Sequence, residues 1–387
     1  MIQEAERQTL LASLQAVEEW VERHDYKAYE PFDGLSSSLR PLTFNIYYAE
    51  RILQQLVRRS PVNIRPLLGV KPLESTKGRG YMAWGYLLLY RHMHFESYRA
   101  KAVLLLDWLD RNKSPYYEHH SWGNHFEFSS RNVRTRVLEP IIVWTSLIGQ
   151  AYLDAYDLLE DQRYLDIAKS ICEWIMGVPR EETPHGHCLS YVAYDRTFIH
   201  NSNMLGAAML ARTGALCGQK EYLRVAESAM EYSCSRQRED GSWYYGESAN
   251  NHWIDNYHTG YNLDSLRCYM TATHDDRYRD SLDKGLDFFI HHFFTRDGAP
   301  KYYHDRTYPI DIQCASQAID TLATFSDLRP STLDMAVKVA KWTEAHMQNK
   351  DGHFYYTKVP FLTSKAPMLH WGQATMYKAL ANLMTKV

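Results

Sequence analysis

The sequence predicts an all-α fold, an (α/α)6 toroid of helical hairpins with long loops on one face. Helix-period apolar patterns recur along all 387 residues, at 2–22, 41–59, 80–93, 98–112, 138–158, 162–176, 200–216, 220–236, 258–274, 277–293, 312–326, 331–348 and 367–385. An Asp-Gly step followed by aromatics appears three times in the C-terminal half. The instances are Asp240-Gly241-Ser242-Trp243-Tyr244-Tyr245, Asp297-Gly298 before Tyr302-Tyr303, and Asp351-Gly352-His353-Phe354-Tyr355-Tyr356. Their spacing of roughly 55 residues is what two packed helices and two loops consume. Connection lengths also alternate: short at 94–97, 159–163, 217–221, 274–277 and 326–331, long at 112–137, 177–200, 238–257, 295–311 and 349–366.

Taken in order, residues 1–20 form an amphipathic pattern carrying Glu4, Glu6, Arg7, Glu18 and Glu19. This stretch lacks the basic start and apolar core of a signal peptide. The hairpins follow. Five outer helices open alike, at Tyr98-Arg99-Ala100, Tyr164-Leu165-Asp166, Tyr222-Leu223-Arg224, Tyr278-Arg279-Asp280 and, more loosely, Leu333-Asp334-Met335. Each continues with mixed charged and apolar residues, the pattern of a helix with one wet face. The helices before them, starting near 80, 138, 200, 258, 312 and 367, hold smaller and less charged residues. An inner ring of six inside an outer ring accounts for the contrast, with the N-terminal helices closing the circle beside the C-terminal one. The expectation is a single domain over 1–387. An open solenoid is the rival architecture, but it gives no reason for long aromatic loops at one end of every hairpin.

A net charge of −3 argues against a nucleic-acid partner. Six scattered cysteines without a Cys-x-x-Cys pair point to reduced thiols and, with no apolar run of transmembrane length, to a cytoplasmic protein. The 29 Tyr and 10 Trp suit stacking on sugar rings, although many must also pack between helices.

The long loops carry the candidate chemistry. The densest string is Trp253-Ile254-Asp255-Asn256-Tyr257-His258-Thr259-Gly260-Tyr261-Asn262. From about 257 onward His258, Tyr261 and Asn262 share a helix face, while Asp255 is open to two readings, N-cap or catalytic group. A second cluster joins Trp122, Asn124, His125 and Glu127 to Arg131, Arg134 and Arg136, where a guanidinium fork could grip a carboxylate. A third holds His185, His187, Tyr191, Asn201 and Asn203, and a fourth Lys301, Tyr303 and Asp311. His370 and Trp371 complete the set, with Trp243, Tyr245 and Asn256 as further substrate contacts. His185-x-His187 lacks a third ligand at a metal spacing and no nucleotide motif is present, so neither metal nor cofactor is expected. Gln237 to Trp243 fits a Q-x-x-D-G-x-W brace, a structural element in terpene-cyclase toroids.

The strings Trp122-Gly123-Asn124, Asn201-Ser202-Asn203, Asp240 to Glu247, Trp253 to Leu263 and Pro309-Ile310-Asp311-Ile312 resemble the α/α-toroid proteins of bacterial exopolysaccharide and surface-glycan clusters, the VpsJ type. The family places an aspartate after the Phe of the first string, where this chain has Glu127. The resemblance implies a part in glycan assembly or tailoring, on an oligosaccharide or lipid-linked glycan. More distantly the fold is similar to uronate C5-epimerase barrels, polysaccharide lyases and inverting glycosidases.

The inventory favours abstraction of the C5 proton of a uronic acid, which needs a tuned base and a neutralised carboxylate. His258 and Tyr261 are the expected acid/base pair, with Arg131 or Arg134 and Asn262 on the carboxylate, and His125 and Tyr303 as alternates. Two other readings compete. An inverting glycosidase would set Asp255 against Asp311 or Glu127, and a glycan-binding protein would use the same aromatic mouth without turnover.

Overall fold

The computed structural model describes residues 4–129 and 134–387. Its helices are α1 (Glu4–Arg23), α2 (Tyr47–Arg59), α3 (Thr76–Met93), α4 (Glu96–Arg111), α5 (Ile142–Leu159), α6 (Gln162–Gly177) and α7 (His200–Cys217). They continue as α8 (Lys220–Cys234), α9 (Asn256–Thr273), α10 (Arg279–His292), α11 (Ile312–Thr324), α12 (Ser331–Met347) and α13 (Thr375–Met384). The inner ring runs α3, α5, α7, α9, α11, α13, each packed on the next, and α13 returns to α3. Outer helices α4, α6, α8, α10 and α12 each pack on the inner helix before them in sequence, and α1 packs on α13. The (α/α)6 toroid is therefore the architecture of the chain. None of the described helices is long and apolar enough to cross a membrane.

Composition decides which ring a helix joins. In α5 every residue from Ile142 to Ala155 is buried, as an element surrounded by helices requires. In α6 burial is confined to one stripe that includes Tyr164, Ile167, Ala168 and Ile171. The tyrosines that open outer helices face tyrosines of their inner partners: Tyr98 on Tyr86, Tyr164 on Tyr152, Tyr278 on Tyr269. Six of the 29 tyrosines thus hold the two rings together.

The Asp-Gly steps join neighbouring hairpins. Gln237 Nε2 donates to Gly241 O and to Ser281 O of α10, and Gln348 Nε2 does the same to Gly352 O and Ser13 O of α1. Gly352 sits at φ +103, and a Cβ there would stand 2.2 Å from Ala16 O. Only glycine fits so close an approach in the left-handed region, and this contact helps close the outer ring. At the opposite face, α3, α5, α7 and α9 end on the left-handed residues His94, Glu160, Gly218 and His274.

Three features depart from the sequence reading. The helix expected at 80 starts at Thr76, because Ser75 Oγ accepts Gly78 N and caps it. The stretch expected at 41–59 yields α2, which contacts the turns Asp33–Ser36 and Arg40–Thr43 and the strand Phe128–Ser129. It lies on the connection between α1 and α3, over the mouth, and not in the ring. The stretch at 367–385 begins as a π-helical turn, Leu369–Ala374, before α13. Gln373, buried in that turn, bonds Phe354 through both its amide atoms.

Candidate active site

Long connections lead into the N-termini of the inner helices, so the first turns of those helices ring one mouth. Capping shapes the most important one. Asp255 is the N-cap of α9, its Oδ1 accepting His258 N at 3.0 Å. Its other oxygen accepts Trp253 Nε1 at 2.8 Å and lies 2.6 Å from His258 Nδ1. The N-cap and the carboxylate that holds His258 are thus the same residue. The buried carboxylate fixes the His258 ring, which keeps Nε2 for other work, and Tyr245 and Tyr257 flank that ring at 4.4 and 3.9 Å.

Tyr261 lies one turn deeper and engages different partners. Its hydroxyl meets Tyr81 OH at 3.0 Å, Lys77 Nζ at 3.3 Å and Gln313 Nε2 at 3.0 Å. α3 and α9 stand opposite one another in the ring, so a bond between them must cross the barrel axis. These side chains form the floor of the mouth. His258 and Tyr261, the expected acid/base pair, have separate hydrogen-bond partners, and Tyr257 is in ring contact with both.

Lys77 is the group sequence reading missed. It is 4% exposed, and burial lowers its ammonium to about 7, with Glu30 opposing the shift. The signal available was Ser75-Thr76-Lys77 at the start of an inner helix, obscured by starting that helix four residues late. Glu30 is another: its Oε1 accepts His370 N at 2.9 Å and lies 2.7 Å from His370 Nδ1. Burial holds His370 below the usual imidazole range. Burial raises Asp311 to about 6, against hydrogen bonds from Gln313 N and Trp371 Nε1, both at 2.8 Å. Burial also lifts the Tyr261 hydroxyl.

Several buried polar atoms without a protein hydrogen bond lie at the same end, while others, such as Thr213 Oγ1 and Trp174 Nε1, lie elsewhere. Among the described residues the former include Asn201 Oδ1, both side-chain atoms of Asn256, Asn262 Oδ1 and Gln313 Oε1. All lie in the first two turns of α7, α9 and α11. Buried polar groups are ordinarily satisfied, so these atoms are open to hydrogen bonds from a polar molecule.

Several expected contacts sit elsewhere. Trp122 and Trp243 are buried braces whose Nε1 donates to Leu109 O and Ser233 O, the last turns of α4 and α8. Asn203 is likewise consumed, by Leu189 N, Ala229 O and Ser233 Oγ. Glu127 pairs with Arg40, and Arg134 with Glu50. Arg131 lies outside the described residues. His125 is lowered by burial and faces Trp108 of α4, away from the axis. Lys301 donates to His304 O. Asn124 is buried, and Tyr191 is half-buried with its backbone N donating to Thr197 Oγ1. Tyr245 stacks on Trp253 at 4.4 Å and Tyr303 bridges to Asp255 through its backbone. The arginine that reaches the mouth is Arg58 of α2, 4.6 Å from the Phe32 ring and bonded to Tyr356 OH. Among the described residues no group of three or more His, Cys, Asp or Glu could hold a metal ion.

No protein-family model matches the chain, and no curated protein matches it in sequence. Solved structures do. A cellobiose 2-epimerase from Bacillus thermoamylovorans superposes with TM-score 0.63 at 12% identity, over 80% of this chain and 87% of its own. The GH76A α-1,6-mannanase from Salegentibacter sp. gives 0.60 at 16%, over 81% and 89%. An unsaturated glucuronyl hydrolase specific for heparin gives 0.56 at 12%, over 79% and 85%. At such identities the likeness establishes the fold.

Proposed function

We propose that this protein is a carbohydrate-active enzyme of polysaccharide biosynthesis or tailoring that removes the C5 proton of a uronic acid residue in a glycan. The observation carrying this reading is Lys77: a buried amine with a pKa of about 7, bonded to Tyr261 on the barrel axis. A neutral amine is a competent base near neutral pH, and its tyrosine neighbour can relay or return a proton. The His258–Asp255 dyad supplies a second proton-transfer group nearer the rim. The base takes the C5 proton, and the C–H electron pair passes into the carboxylate as an enolate. Return of a proton to the opposite face gives the C5 epimer; expulsion of the C4 oxygen gives an unsaturated end. Arg58, with the amides of Asn256 and Asn262, is suited to the carboxylate. The sugar enzymes among the similar structures include an epimerase and a glucuronyl hydrolase by name, which is consistent with a sugar substrate.

One observation favours hydrolysis as a second reading. Asp311, held near 6, has the protonation of a general acid. Asp255, its expected partner, has both oxygens engaged, which weighs against a water-activating role.

Incubation with uronic-acid glycans in deuterated water separates the outcomes. Deuterium at C5 without new chain ends supports epimerisation, and ultraviolet-absorbing ends support elimination. New reducing ends without C5 label would overturn proton abstraction in favour of hydrolysis. Saturable binding without any product would leave a glycan-binding protein.

A further inference from the structure

Among the described residues most of the exposed large apolar side chains lie on two segments. Residues 39–67 carry Phe44, Tyr48, Ile52, Leu56 and Leu67, each more than 60% exposed. The tip of the hairpin formed by Thr357–Val359 and Leu362–Ser364 carries Phe361, 99% exposed. α2 is inverted relative to a surface helix of ordinary design. It buries Glu50, Gln54 and Val57 and turns Tyr48, Ile52 and Leu56 outward in one i, i+4, i+8 row. Both elements lie on connections that enter an inner helix, so both stand on the mouth face. Arg58 Nε, donating to Tyr356 OH at 3.1 Å, ties one to the other.

Charge sharpens the picture. Between Asp33 and Glu74 the one acidic residue is Glu50, which is buried and paired with Arg40 and Arg134. After Asp351 the chain has no acidic residue at all. Arg59, Lys71 and Lys365 are exposed, and Arg51 and Lys358 partly so. In a chain of net charge −3, two segments that are apolar and, Glu50 apart, carry basic residues without acidic ones are a local construction.

We propose that this face docks on an anionic lipid bilayer. α2 lies in the plane of the interface, Tyr48, Ile52, Leu56 and Phe361 enter it, and the surrounding arginines and lysines meet the headgroups. A second copy of the chain is the poorer occupant, because a twofold contact would set Arg51 and Arg59 against their own counterparts. The inference stands on this surface alone and holds whichever reaction the mouth performs.

Co-sedimentation of the full chain with phosphatidylcholine vesicles, with and without phosphatidylglycerol, tests it. Wild type should bind the anionic vesicles, more weakly as salt rises, and bind neutral ones poorly. I52D/L56D should lower the partition coefficient at least about tenfold, and R51Q/R59Q about 25-fold, taking about fivefold per basic residue at an anionic surface. F361D probes the separate hairpin, and since these side chains are exposed, Arg51 partly so, thermal melts should match wild type. Wild type remaining in the supernatant with anionic vesicles would overturn the proposal, as would folded variants that bind like wild type. So would a dimer that I52D/L56D converts to monomer while vesicle binding is absent throughout.

Discussion

Replacing Lys77 by methionine should make the protein more stable and less active. In an unfolded chain the amine is charged up to its ordinary 10.5, whereas inside the barrel burial brings it to about 7. The fold therefore binds fewer protons than the unfolded chain between about pH 7 and 10.5, and stability contributed at this site rises across that window. Below about pH 7 the full penalty applies, about 5 kcal/mol by the size of the gap. Methionine keeps the length and removes the charge, and Tyr261 OH retains Tyr81 and Gln313. Allowing for imperfect packing, K77M should be about 3–5 kcal/mol more stable at pH 6. The advantage should shrink towards zero by pH 10.5. Guanidinium unfolding at pH 6, 8 and 10 measures the difference, and C5 deuterium exchange should fall at least about a hundredfold. A K77M protein less stable at pH 6, or an advantage independent of pH, would show that Lys77 is not a desolvated amine; unchanged exchange would remove it from the reaction.

Three further outcomes are expected. D255A should cost about 2–4 kcal/mol, since the cap is lost and Trp253 Nε1 and His258 Nδ1 are left without a carboxylate; D255N should retain more stability yet lose as much exchange, and an active D255N would refute the orienting role. W122F and W243F should each cost about 1–3 kcal/mol in denaturant unfolding by losing the indole hydrogen bond to Leu109 O or Ser233 O together with part of a buried ring, with no change in KM. G352A should cost more than about 3 kcal/mol, because its Cβ would collide with Ala16 O. G177A, with nothing within 4 Å, should stay within about 0.5 kcal/mol of wild type, both glycine variants being read by denaturant unfolding.

Periodicity and loop alternation made the ring legible because they report which helix faces meet water, a local property of each helix. The mouth was legible for the same reason: chain direction alone decides which connections share it. What sequence could not give was how each polar side chain is spent. Trp122 and Trp243 read like sugar platforms until their indole nitrogens are seen on helix-end carbonyls, a contact between segments whose separation only coordinates fix. Asn201 and Asn203 are two residues apart on one helix, yet one has a side-chain oxygen without a protein partner while the other is fully consumed. Lys77 was hidden by a cap: Ser75 adds a turn to α3, and that turn carries the amine to the axis.

A shifted pKa alone does not identify a working residue, and two groups of this chain show why Lys77 differs. Asp33 is also displaced by burial, to about 6. Its two oxygens accept Arg65 Nε at 2.8 and 2.9 Å, and Arg65 also donates to Glu30 O. That pair ties two parts of one connection together, so the cost of burying it has a structural return. Among the described residues Lys77 has no carboxylate in ion-pair contact: Glu30 acts on it from a distance, and its hydrogen bond goes to a tyrosine hydroxyl at 3.3 Å. Methionine or leucine would fill the same volume at lower free energy. A buried amine held near neutrality on the axis, beneath amides with unpartnered oxygens, is a costly arrangement that packing does not explain, and the proposed proton transfer would give it a use.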